Sequence, residues 1–205
     1  MDTKTRKHKL EPLPFTCLTT DCLNGLHAFG GSRTRLGSNP PGTCLKCGMR
    51  LVGWERVQRR DLEDFANTLT ELKKEYIRHQ YWCCVQIDPW AINKARRKGK
   101  SGTQKAAQHR LRKYICVEDF YMDGRQTPKR GDIIYYAQHA TATCCRKCIA
   151  QWHGIPEDRA VTDEEFRYLT NLIMLYVGEK MPDLTDYGIY VPPIRNTQLG
   201  AVAQR

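Results

Sequence analysis

The chain has 205 residues, 40% of them apolar, which is enough for one large domain or two small ones around a real core and argues against disorder throughout. Its 33 Lys and Arg outweigh 22 Asp and Glu, giving a formal charge of +11 that points to a polyanionic partner such as nucleic acid. No run approaches the roughly 18 apolar residues of a membrane helix, and the charged opening MDTKTRKHKLEPLP is unlike a secretion signal, so a soluble protein of the reducing cytoplasm with no membrane partner is expected.

Residues 1–14 read as a flexible basic arm. From 15 to 58 the chain is rich in Gly, Pro, Thr and Cys, with loops around Gly30-Gly31 and Asn39 to Gly42, and has too little apolar mass to build a core unaided. Two close cysteine pairs supply a staple: Cys17/Cys22 and Cys44/Cys47, the latter followed by Gly48. A pair from each of two tight turns gives the four soft ligands of a tetrahedral structural Zn2+, so the segment is expected to be a zinc ribbon, with His27 as an alternative ligand. Trp54, Arg56, Arg59 and Arg60 then serve either as a nucleic-acid surface or as packing between this segment and its neighbour.

Residues 59–122 form a helical and basic middle segment. Asp61 is placed to cap a helix running toward Tyr81, with Leu62, Phe65, Leu69, Leu72 and Tyr76 on one face. Tyr81 to Ile87 reads as a buried strand ended by Asp88-Pro89, and Cys83, Cys84 and Cys116 read as small core residues. Nine cations follow without one acid: Lys94, Arg96, Arg97, Lys98, Lys100, Lys105, Arg110, Arg112 and Lys113. Such a strip suits phosphate contact, directed by backbone rather than by base, with a short helix expected over 103–115.

Residues 123–205 are expected to form a Cys/His module. Asp123-Gly124 signals a turn, and Ile133 to Ala137 reads as a buried strand leading to His139. Beyond it lie Cys144, Cys145, Cys148 and His153, with Thr143 placed to cap a short helix. One reading is a second zinc on His139, Cys145, Cys148 and His153, with Cys144 as alternate ligand; another is a thiol enzyme with Cys144 or Cys145 activated by His139. The deaminase pattern of a Glu two residues after the His and a Pro before the first Cys is absent, Thr141 and Cys144 standing there. Thr162 and Glu165 form a capping box ahead of Phe166, Leu169, Leu172, Ile173 and Tyr176, a helix expected to stop at Gly178. A tail with Pro182 and Pro192-Pro193 ends in small polar residues expected to fray.

The strings Gln126-Thr-Pro-Lys-Arg-Gly131, Ala137 to Cys148 and Trp152-His-Gly-Ile-Pro156, with Thr162 and Glu165 after them, resemble a bacterial and phage family known only as a domain of unknown function. That resemblance covers 123 to about 176 and implies no activity; Asp132-Ile133 depart from it, standing where a His-Pro pair is expected. The combined expectation is an α+β protein with an N-terminal zinc ribbon and a C-terminal strand–Cys/His–helix module. Its expected function is to bind zinc and nucleic acid, as an accessory component with protein partners in a phage-related or DNA-processing assembly. The alternative is a metal-dependent nuclease or hydrolase, or a thiol enzyme, at the C-terminal cluster.

Overall fold

The computed structural model describes residues 10–29, 42–116 and 127–194. Seven helices frame it: α1 (Trp54–Val57), α2 (Phe65–Leu72), α3 (Tyr76–His79), α4 (Pro89–Tyr114), α5 (Ile133–Ala140), α6 (Arg146–His153) and α7 (Asp163–Lys180). Among the described residues there is no strand. Extended pairing is limited to isolated bridges, Asp21 with Leu26, His27 with Glu75 and Thr43 with Arg50. The expected α+β architecture is therefore corrected to a helical one, and the described part of the cysteine-rich N-terminal segment is held in turns and single bridges.

Both misread strands lie at the centre of the core. Ile133 to Ala137 belongs to α5, on which Ile133, Ile134, Tyr136, Ala137, Gln138, His139 and Ala140 are all buried. Helices α3, α4 and α7 pack around it. A helix covered on all sides needs no polar face, so its sequence loses the 3.6-residue period and a short apolar run looks like a strand. Tyr81 and Trp82 are likewise buried, in a wide helical turn at Gln80–Cys84 that continues α3. It closes with Val85 N–H donating to the Gln80 carbonyl at 2.8 Å. Cys83 and Cys84, expected in the core, are exposed on the far side of that turn.

The helix expected from Asp61 toward Tyr81 is interrupted. It begins at Phe65, and between α2 and α3 the backbone leaves the helical path to pair with His27. His27 N–H donates to the Lys74 carbonyl and Tyr76 N–H donates to the His27 carbonyl, both at 2.8 Å. Asp88-Pro89 does not end a strand; it opens α4, with Asp88 Oδ1 accepting from Ala91 N–H at 2.9 Å and Pro89 at the first helical position, where its missing N–H leaves nothing unsatisfied. The capping box at Thr162 and Glu165 is present, and α7 runs past Gly178 to Lys180. Bonding to Arg159 holds the Glu165 carboxyl down at about 2.

Helix α4 breaks at Gly99 (φ 66°, ψ −178°), a conformation open to glycine and strained for other residues. The chain beyond α7 threads into that break. Lys100 N–H donates to the Thr185 carbonyl, Ser101 N–H to that of Asp186, and Ile189 N–H to that of Arg96, each within 3.1 Å. A Cβ on Gly99 would stand 2.3 Å from the Tyr187 carbonyl carbon, and one on Gly188 would stand 1.9 Å from the Arg97 carbonyl oxygen. Gly99→Ala therefore adds backbone strain of about 1–3 kcal/mol and evicts the tail. The expected result is a lowered melting temperature together with new protease cleavage between 185 and 190; a tail that stays protected would overturn this account.

Candidate metal centres

The first centre grows from two turns. Asp21 to Leu26 forms a tight bend in which Asp21 N–H donates to the Leu26 carbonyl (2.8 Å) and Leu26 N–H to the Asp21 carbonyl (2.9 Å), placing Cys22 at one side and His27 at the other. Cys44 to Met49 forms the second bend: Gly48 N–H donates to the Cys44 carbonyl and Cys44 N–H to that of Met49, both at 2.9 Å. Gly48, at φ 70°, makes that reversal without side-chain strain. The result gathers Cys22, His27, Cys44 and Cys47, whose ligand atoms all lie within 4.8 Å of one another and can hold a metal ion. Cys22 Sγ is 3.7 Å from Cys44 Sγ, and Cys47 Sγ is 3.5 Å from His27 Nδ1.

The charge distribution in this group favours a cation. Burial pushes the Cys44 thiol up, but amide donors at Cys47, Ala28 and Lys46, with the His27 ring, outweigh it and bring the thiol down to about 6. Cys22 is pushed up to about 11 by burial and by its neighbours Cys44 and Cys47. Amides aimed at a sulfur in a tight turn are the donors that a metal-bound thiolate requires. Of the expected quartet, the structure brings together Cys22, Cys44 and Cys47, completes them with His27, and places Cys17 elsewhere.

The C-terminal group sits on the loop between α5 and α6. Ala142, at φ 56°, turns the chain out of α5 and allows Thr143 N–H to donate to the Gln138 carbonyl at 2.8 Å. Cys145, not Thr143, occupies the cap position of α6. Cys144, Cys145 and Cys148 are buried with their sulfurs within 4.8 Å of one another. Against them lies Arg78, with no side-chain exposure at all. Its guanidinium donates to Glu75 (3.1 Å), to the His139 carbonyl (2.6 Å) and to Cys148 Sγ (3.1 Å), and stands 3.8 Å from Cys144 Sγ. Burial alone would discharge it, yet Glu75 and the sulfurs around it prevail and keep Arg78 firmly protonated. Glu75 in turn accepts from Trp152 Nε1 at 2.7 Å. Sequence reasoning passed over both Glu75 and Arg78, because a Glu and an Arg three apart on a helix look like any surface pair.

His139 and His153 do not join the cysteines. His139 stacks on Tyr81 at 5.0 Å between ring centres and turns Nε2 to the Thr127 carbonyl (2.9 Å), while its Nδ1 has no partner. His153 uses both nitrogens, on Tyr168 Oη (3.1 Å) and the Thr141 carbonyl (2.9 Å). Burial lowers them to about 3 and about 4, so both rings are neutral. With Cys145 raised to about 12, chiefly by its bond with Cys144, the cluster holds neither a Cys–His dyad nor a ready thiolate.

The basic strip is divided by the fold. Lys94 bridges Asp132 at 2.6 Å, Arg96 bridges Asp183 at 3.1 Å, and Lys100 stands 3.9 Å from Asp186. Arg97 donates to the carbonyls of Val191 and Pro192. Arg110 donates to Gln138 at 2.8 Å and to Thr127 at 3.2 Å and lies over Tyr135. Lys98 is half-buried at the break, while Lys105, Arg112 and Lys113 are exposed along the second half of α4, Arg112 lying over the Phe166 ring at 4.6 Å. Trp54 packs against Trp152 at 4.7 Å, Arg56 pairs with Asp64 at 2.6 Å, and Arg60 donates to the His153 carbonyl, so that part of the chain packs the N-terminal segment onto its neighbour. Among the described residues no helix is long and apolar enough to cross a membrane.

Comparison with known families matches residues 66–178, more than half of the chain, to the Domain of unknown function (DUF4186). The match takes in α2 to α7, with Glu75, Arg78 and the C-terminal cysteines, and reaches well upstream of the strings at 126–165; the first centre lies outside it. No solved structure matches the chain.

Proposed function

The chain belongs to the DUF4186 family, and we propose that it is a zinc-organised protein that binds nucleic acid, its metal holding the fold rather than turning over a substrate. The observation that carries the zinc reading is the four-ligand group Cys22/His27/Cys44/Cys47. Four N and S donors filling a tetrahedron describe a closed structural zinc site, and a Zn–S bond of about 2.3 Å gives a sulfur–sulfur edge of about 3.8 Å. The 3.7 Å between Cys22 and Cys44 matches that edge.

The nucleic-acid reading rests on the formal charge of +11 and on the cations of α4 that the fold leaves exposed. Lys105 and Arg112, seven residues apart, share one helical face with the exposed His109, and Lys113 borders it. Tyr114, also exposed, lies between Arg110 and Lys113 and offers a ring for base stacking. Arg96, Arg97 and Lys100 are better read as tail anchors, which narrows the phosphate strip to the C-terminal half of the helix.

Binding of labelled single- and double-stranded DNA and RNA across a salt series tests this. Affinity is expected to fall steeply with salt, and K105E/R112E/K113E to weaken it about tenfold or more while flattening the salt slope by about three, one for each lost phosphate contact. Salt-independent binding, or a triple variant that binds like the wild type, would sink the proposal.

A further inference from the structure

We infer that Cys17 closes the C-terminal triad, so that Cys17, Cys144, Cys145 and Cys148 form a second metal site, built of four thiolates and suited to a single zinc-like cation. This site shares with the proposed function only the choice of zinc; its ligands are separate.

The argument starts from what surrounds Cys17. Phe15 wedges its ring against Tyr76 and Tyr81, at 6.1 and 5.9 Å, and its carbonyl accepts from Lys129. The next residues reverse direction, Thr19 N–H donating to the Thr16 carbonyl at 3.1 Å and Leu18 N–H to Thr16 Oγ1 at 3.2 Å. The turn carries Cys17 toward the triad, and Cys148 is the sulfur on which it bears. Cys17 also bears electrostatically on Glu75, Arg78 and Tyr81, and Arg78 itself bonds the triad at Cys148.

Three thiols within 4.8 Å of one another already fit one ion of tetrahedral geometry and lack a fourth ligand. The other candidates are taken: His153 by Tyr168 and Thr141, Glu75 by Arg78 and Trp152. His139 turns Nε2 to a carbonyl and lies outside the group. Cys17, on the short Thr16–Thr19 turn, is the thiol placed to supply the fourth ligand. It approaches through Cys148 rather than lying within 4.8 Å of all three sulfurs, so metal capture draws the Thr16–Thr19 turn inward.

Charge supports the assignment. Four thiolates around a divalent cation are doubly negative, and buried negative charge needs buried donors. Arg78 is such a donor, fully enclosed and bonded to Cys148 while close to Cys144. The segment from Cys17 to His27 thus serves two ions, Cys17 one and Cys22 with His27 the other. Phe29, Trp54 and Trp152 share one packed cluster with Cys22 and Cys44 of the first site and Cys144, Cys145 and Cys148 of the second.

Zinc content of the purified full chain tests the assignment. Two ions are expected in the wild type, one in Cys17→Ala and one in Cys47→Ala. Should Cys17→Ala not fold, alkylation of Cys47→Ala followed by mass spectrometry reads the same site, with Cys17 expected to be shielded alongside Cys144, Cys145 and Cys148. Two ions in Cys17→Ala, or Cys17 reacting as fast as the exposed Cys83, overturns the inference. A single wild-type ion that survives Cys17→Ala and is lost in Cys47→Ala also overturns it while leaving the first centre standing. A single ion with the opposite pattern removes the first centre and keeps this one.

Discussion

Chelating the metal from the Cys22/His27/Cys44/Cys47 centre, or replacing Cys44 with Ser, is expected to release the chain between about residues 18 and 52 while the frame of α4, α5 and α7 stays assembled. The reason is how little else holds that stretch. Among its described residues the secondary structure amounts to one three-residue turn at Cys22–Asn24 and isolated bridges. The buried apolar residues among these are Ala28, Phe29, Cys44 and Val52. Structural zinc contributes on the order of 10–16 kcal/mol in small zinc-dependent folds, far more than those few contacts supply. Since α4, α5 and α7 draw their packing from a separate core of more than twenty buried residues, helical circular dichroism should change little. Limited proteolysis should instead show new cuts between 42 and 52, and His27 should lose its hold on Lys74 and Tyr76. A stripped protein that resists proteases as well as the loaded one would show that the centre does not brace the fold.

The sequence was most readable where local chemistry decides the structure. The Thr162/Glu165 box set the start of α7, and the spacing of Phe166, Leu169, Leu172, Ile173 and Tyr176 set its inner face. It was least readable where tertiary contacts decide. In α5, burial on every side erased the helical period, so Ile133-Ile-Tyr-Tyr-Ala137 looked like a strand. The same holds for the metal ligands. Spacing along the chain grouped Cys17 with Cys22, but the group that can hold an ion takes in His27 and leaves Cys17 out. Cysteine spacing reports which residues are close in sequence; which sulfurs share an ion depends on where two turns meet in space. Charge pairing shows the same limit: Lys94 and Arg96 are matched by Asp132 and Asp183, which lie 38 and 87 residues further on and leave no mark in a local charge count.

Replacing Arg78 with Met is expected to lower stability by about 3–5 kcal/mol, the range for breaking a buried ion pair from one side. The side chain it removes satisfies a carboxylate, a backbone carbonyl and a sulfur at once, with no exposure to water. Among the described residues the Glu75 carboxylate would keep only its bond from Trp152, and the His139 carbonyl would lose the donor that holds the end of α5. Neutralising the acid as well separates the contributions. If the ion pair with Glu75 accounts for most of the loss, R78M/E75Q should recover most of it, since a neutral pair carries no stranded charge. If the cysteine group also depends on the guanidinium, the double variant should stay destabilised while metal is bound, and the remaining loss should vanish once the metal is stripped. Urea unfolding of the four proteins in the cycle, with and without chelator, measures each step. A loss below about 1 kcal/mol in Arg78→Met would place this pair with exposed salt bridges and remove it as the link between α3 and the cysteine loop.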